Sequence, residues 1–167
     1  IRFKVMYNNK VEKTTNDAIK QNLDGIKKIS KERILIELYK ILDTKNFIYI
    51  NENIFLKEIF TLIFPEFENL KRLERLTQIY DHIKLNKDLM LSVLLIDEKN
   101  NHEYFSHKYN ISNDLKETLN LCAKNYKLIS EDKDFLNKDL EKNIYYNGKK
   151  HLINLNIVNF VINSKYK

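Results

Sequence analysis

Ionisable and nucleophilic side chains are plentiful in this sequence, but few fall at spacings that chemistry uses. His102 and His107 are five residues apart, a poor spacing for two ligands on one helix face, and no other His or Cys lies close by. They read as solvated or capping histidines. His82 follows Asp81 at the end of an amphipathic helical pattern, where a cation complements the helix dipole. Asp97 and Glu98 are adjacent carboxylates with no third acid nearby, so they do not suggest a two-metal site. Cys122 has no neighbouring base and reads as a buried thiol. Ser30, Ser112 and Ser130 lack a Gly-x-Ser-x-Gly elbow and look like helix caps rather than nucleophiles. One segment stands out. In Ser30-Lys31-Glu32-Arg33-Ile34-Leu35-Ile36-Glu37-Leu38-Tyr39-Lys40-Ile41-Leu42, helical spacing puts Arg33, Glu37 and Lys40 on one face. They stand beside an apolar stripe of Ile34, Leu38, Ile41 and Leu42. Spacing alone makes them a ladder of surface charges, worth about a few tenths of a kcal/mol.

The elements that position these groups must be helices. The chain has 167 residues with only 2 Gly and 1 Pro. Glycine-rich phosphate loops need several close glycines, whereas Gly25 and Gly148 lie far apart. All-β sandwiches and barrels usually draw on Gly and Pro for their turns. An all-α, irregular array of about seven to eight helices is expected, and the 43% apolar content supplies its core. A single cysteine excludes an intramolecular disulfide and fits a reduced, cytoplasmic setting. No apolar run reaches the length needed to span a bilayer, so no membrane partner is expected. The net charge is +6, and the basic surplus is largest in residues 1–50, with 11 basic against 6 acidic side chains. Such a balance permits a polyanionic partner.

Along the chain, residues 3–7 fit either a helix end or a short strand, and Asn8-Asn9 signals a turn. A helix is expected over 15–24, with Thr15 as cap and Gly25 at its stop. A second runs from Ser30 to about Asp43. A third, 54–63, starts at Asn51 or Asn53 and is closed by Pro65. Residues 67–83 read as one helix with Leu70, Leu73, Leu76 and Tyr80 inward. Residues 87–97 are apolar nearly all round, as in a central buried helix. Further helices are expected over 102–109, over 112–123 capped by Ser112, and over 130–142 capped by Ser130. The last, 149–164, follows a turn at Asn147-Gly148.

Taken in order, the residues of the 30–42 segment resemble motif E of the class II tRNA nucleotidyltransferase (CCA-adding enzyme) and bacterial poly(A) polymerase family. That motif reads Ser-x-Glu-Arg-Ile-x-x-Glu-Leu-x-Lys-Leu-Leu, and Ser30, Glu32, Arg33, Ile34, Glu37, Leu38, Lys40 and Leu42 match in register. Ile1-Arg2-Phe3 is similar to the residues that follow the family's motif D. Phe64-Pro65-Glu66, Asn110-Ile111-Ser112-Asn113 and Tyr145-Tyr146-Asn147-Gly148 resemble later steps of the family more loosely.

The resemblance implies a neck-like segment over 1–45 and a helical body-like segment over 46–167. In the family, a separate head binds NTP and Mg²⁺ through Asp-x-Asp carboxylates and adds nucleotides to an RNA 3′ end. The head's motifs, Gly-Gly-x-Val-Arg-Asp, Asp-x-Asp, Arg-Arg-Asp and Glu-Asp-x-x-Arg, are each read as absent here. The expectation is therefore a neck-and-body portion without the head or the C-terminal tail, holding no catalytic residue, metal or cofactor of its own and inactive alone. By the resemblance Ser30, Glu32, Arg33, Glu37 and Lys40 organise a helix junction. Lys27, Lys28, Lys31, Lys71, Arg72 and Arg75 are the candidates for contact with tRNA or another RNA 3′ end. A separately encoded catalytic head is a further partner that the resemblance allows. The competing expectation is a helical interaction module, or the remnant of a degraded gene, with no RNA role.

Overall fold

A computed structural model describes residues 1–7, 13–132, 134–135 and 137–163. Among them there are ten α-helices, three 3₁₀ segments and no strand. The helices are α1 (Arg2–Tyr7), α2 (Lys13–Gln21), α3 (Lys31–Leu42), α4 (Ile54–Ile63) and α5 (Arg72–Leu76). They continue with α6 (Lys87–Leu95), α7 (Asn101–Tyr109), α8 (Asn113–Glu131), α9 (Leu140–Asn147) and α10 (Lys149–Ile162). The 3₁₀ segments are Leu23–Lys28, Lys45–Glu52 and Tyr80–His82. The class is as expected and the number of helices is larger, because several expected long helices are broken or shifted.

Helix α6 is the axis. Every residue from Leu89 to Leu95 is buried, which follows from its having no polar face to turn outward. It packs against α3, α5, α7, α8 and α10. Asn86 caps it, its side chain accepting from the Leu89 amide. Beside it lies an aromatic cluster. Phe60, Phe64 and Phe67 contact one another with ring centroids 4.9–5.5 Å apart, and Phe67 stacks on Phe105. The Phe64-Pro65-Glu66-Phe67 step is what drives two of these rings inward. It also buries the Glu66 carboxylate, which pairs with Lys108 of α7.

Several expected boundaries are corrected. Residues 67–83 do not form one helix: only 72–76 are α-helical. A distant side chain competes for a carbonyl here, since the Asn51 amide donates to Leu70 O. Leu70, Leu73 and Leu76 are buried as expected. His82 consequently ends a short 3₁₀ turn rather than a long helix. The 15–24 helix starts and ends earlier, closed by the Asn22 amide donating to Ala18 O, so Thr15 is inside it and Gly25 lies in the following 3₁₀ segment. Ser130 is not a cap. With no Gly or Pro to stop it, α8 runs on to Glu131, and the Ser130 hydroxyl donates to Lys127 O. Residues 3–7 resolve as helix, and the Asn8-Asn9 turn lies outside the described residues.

Other expectations hold. Ser30, Asn53 and Ser112 cap α3, α4 and α8. Gly148, at φ +80°, makes the sharp corner between α9 and α10, a conformation an L side chain resists.

Candidate RNA-binding face and neck-like helix

The motif E-like segment is α3 with its cap. The Ser30 hydroxyl accepts from the Arg33 amide at 3.3 Å. Glu32 accepts from its own backbone amide and from the Ser30 hydroxyl, which together hold its carboxyl below the usual carboxylate range. One turn on, Glu37 takes Lys40 at 2.8 Å and Arg2 of α1 at 3.0 Å. Its carboxyl is also held low, first by the Lys40 hydrogen bond and then by the charge of Arg2, against some desolvation. Through Arg2 the Glu37 carboxylate thus links α3 to α1, with Lys40 on its other oxygen. Arg2 is the member that spacing could not find, because it comes from 35 residues away. Arg33 adds its charge to the site of Glu37. It also edges a shallow groove of about 240 Å³ whose apolar wall is Ile1, Ile26, Ile29, Ile34, Ile63 and Phe64. Phe3, Ile54 and Leu62 also stand exposed in the first half of the chain.

The six basic candidates do not share one environment. Lys27, Lys28 and Lys31 are exposed on the 3₁₀ segment and the start of α3. Lys27 pairs with Asp24 at 2.8 Å, an ion pair open to water on both sides. This basic segment joins α2, and neither element buries a residue. Among its contacts with the rest of the chain are Lys20 to Glu58, Asn16 accepting from Lys4, and the ammonium of Lys20 over the Phe55 ring. Lys71 is exposed at the start of α5.

Arg72 and Arg75 point inward. Arg72 Nη1 donates to Val93 O at 2.8 Å and Ile96 O at 2.7 Å, the carbonyls that α6 leaves open at its C-terminus. Burial lowers its pKa while Asp97 opposes. Arg75 Nη1 does the same for α10, donating to Val161 O and Ile162 O at 2.9 and 3.1 Å. Each guanidinium acts as the C-terminal cap of another helix.

The remaining reactive groups are placed as follows. Cys122 is buried and burial pushes its thiol up to about 12, so it stays protonated and unreactive. His102, expected to be solvated or capping, is buried, with Nδ1 lacking a hydrogen-bond partner among the described residues. Burial holds its pKa below the ordinary value. Asp97 ties a loop together, accepting from Asn69, from the Lys99 and Asn101 amides and from the Asn101 side chain. Asp132 and Asp134 do form an Asp-x-Asp spacing, but Asp132 pairs with Lys138 and caps the Asp134 amide. Among the described residues no three His, Cys, Asp or Glu side chains come together as a metal site. No helix of the described residues is long and apolar enough to cross a membrane.

Residues 9–71 match a family model described as the probable RNA- and SrmB-binding site of polymerase A. The match takes in the basic segment, α3, the groove residues from Ile26 to Phe64 and the Phe64-Pro65-Glu66 step. No curated protein and no solved structure matches the chain. The first part of this all-helical chain is thus similar to a poly(A) polymerase-related, RNA-binding segment.

Proposed function

We propose that this chain is the RNA-binding neck-and-body portion of an RNA 3′-end nucleotidyltransferase of the poly(A) polymerase and CCA-adding type. It acts in tRNA processing or related 3′-end addition in the cytoplasm and does not itself catalyse nucleotide transfer. Residues 1–45 form the neck-like part and 46–167 the body-like part. The observation that carries this reading is the coincidence of the matched segment with the exposed lysines of residues 27–31. Lys27, Lys28 and Lys31 neutralise phosphates of tRNA or another RNA 3′ end, with Lys71 as a further contact. Arg72 and Arg75 hold the body that carries them. The Arg2–Glu37–Lys40 junction fixes α3, and the groove beside it takes apolar side chains of a separately encoded catalytic head.

Phosphate contacts of this kind are independent of sequence and release counterions, so affinity falls steeply with salt. The test is a gel-shift titration of the chain with tRNA at low and at moderate salt. Binding is expected at low salt. Combined Lys27→Ala, Lys28→Ala and Lys31→Ala substitution lowers affinity and flattens the slope of log K against log salt by about 0.7–0.9 for each phosphate no longer neutralised. Absence of binding by the unmodified chain at low salt would sink the reading and leave the helical interaction module.

A further inference from the structure

At the opposite end of the chain from the matched segment, two adjacent tyrosines stand out of the corner between α9 and α10. Tyr145 is 84% exposed and Tyr146 is 72% exposed, and they are the most exposed aromatic rings among the described residues. They meet edge to face, with centroids 5.2 Å apart and planes at 86°, so each steadies the other while ring faces stay open to solvent. Their base is fixed. Asn147 Nδ2 donates to Asn143 O, Asn143 Nδ2 donates to Phe135 O and Lys138 O, and the buried Asn125 amide of α8 reaches both Asn147 and His151.

The surrounding charge selects the partner. Lys142 lies one helical turn before the pair beside Glu141, and Lys149 and Lys150 open α10, which has no acidic residue in its first turn, so the corner keeps a basic surplus. Lysines at a helix N-terminus oppose the dipole, a small cost to the fold that an anionic partner removes. Asp88, Asp114 and Glu117 line a neighbouring cleft of about 470 Å³ together with Lys150 and His151, so the acidic side chains lie in that cleft.

From this geometry we infer that Tyr145 and Tyr146 form a stacking platform for unpaired bases of a single-stranded RNA end, with Lys142, Lys149 and Lys150 on its phosphates. Aromatic rings beside lysines suit single strands because every base offers a π-face, whereas bases within a duplex are already stacked. The inference rests on the RNA-binding reading above and adds a second, single-strand-selective contact distant in sequence from the lysines of residues 27–31.

The experiment compares the full chain with Y145A/Y146A and Y145F/Y146F, measuring affinity by anisotropy of a labelled short oligoadenylate and of a fully paired RNA hairpin. Both rings are exposed, so the variants are expected to melt like the parent. Y145A/Y146A should bind the single strand about tenfold or more weakly, and Y145F/Y146F within about twofold of the parent, because stacking needs the ring and not the hydroxyl. Hairpin affinity should be the same for all three. The platform is overturned if Y145A/Y146A binds oligoadenylate like the parent, if it loses hairpin affinity equally, or if Y145F/Y146F is as weak as Y145A/Y146A. A dimer that dissociates in Y145A/Y146A with RNA affinity unchanged would make the pair a protein interface instead. If the parent binds neither RNA, the RNA-binding reading itself fails; if it binds both and the tyrosine variants are silent, only the platform does.

Discussion

The body around α6 and the basic segment formed by α2 and residues 23–28 are both helical and both rich in basic residues, yet they are built on different physics. In the body, apolar side chains dominate the interior and arginines cap helix ends from inside. In the basic segment no residue is buried, and attachment rests on one ion pair, one amide, one ring and the half-buried Ile26 at the groove. Elements with few buried contacts open at low free energy, so the basic segment is expected to open before the body does.

The largest effect that could break this contrast is a core truncation. Leu94 in α6 is fully buried, so Leu94→Ala is expected to cost about 2–5 kcal/mol, by lost transfer energy and the cavity left. Ile19 in α2 is only half-buried, and Ile19→Ala should cost less than about 1 kcal/mol. Urea unfolding of the two variants gives the comparison. Equal losses would mean that the basic segment is as much part of the cooperative unit as α6.

A second, smaller effect separates arginines from lysines. Replacing Arg72 by Met leaves the Val93 and Ile96 carbonyls without their charged donor, at a cost of about 1.5–3 kcal/mol. Arg75→Met should behave alike through Val161 and Ile162. RNA affinity of the folded Arg72→Met protein should match the parent, while the Lys27, Lys28 and Lys31 substitutions should weaken RNA binding without lowering the melting temperature. Loss of RNA affinity in a fully folded Arg72→Met protein would put that guanidinium back on the RNA side.

This division also shows what the sequence can and cannot reveal. The cap at Ser30, the buried run 87–97 and the corner at Gly148 were legible because each depends on neighbours in the chain. The helix expected over 67–83 was not, because Asn51 from 19 residues away takes the Leu70 carbonyl. Nor was the direction of Arg72 and Arg75. On helical spacing they share a polar face with Lys71, and only the ends of α6 and α10, brought close by packing, turn them inward. Arg2 completes the α3 junction for the same reason. Lys27, Lys28 and Lys31 could be read as exposed because nothing distant packs on them.

The smallest expected effect is a pH dependence that belongs to the body. Burial lowers the pKa of His102 and, likewise, of His151. For His102, Asp97 and Glu103 pull the other way and Lys127 adds to the lowering. The unfolded chain, with histidines near the ordinary value of about 6.5, then binds protons that the folded chain refuses. A depressed folded pKa gives stability that is complete above the unfolded value and is lost as pH falls through the folded one. Stability should therefore hold from about pH 8 to about 7 and decline towards about pH 5. The loss at exposed Glu32 and Glu37, whose carboxyls are held low, belongs to a separate window below about pH 4.5. His102→Leu should flatten the first decline in part, leaving the share of His151. Melting curves across this range decide it: an undiminished decline in His102→Leu would mean that the buried imidazole is already solvated in the native state. The basic segment has no histidine, so its ion pairs should leave this window untouched.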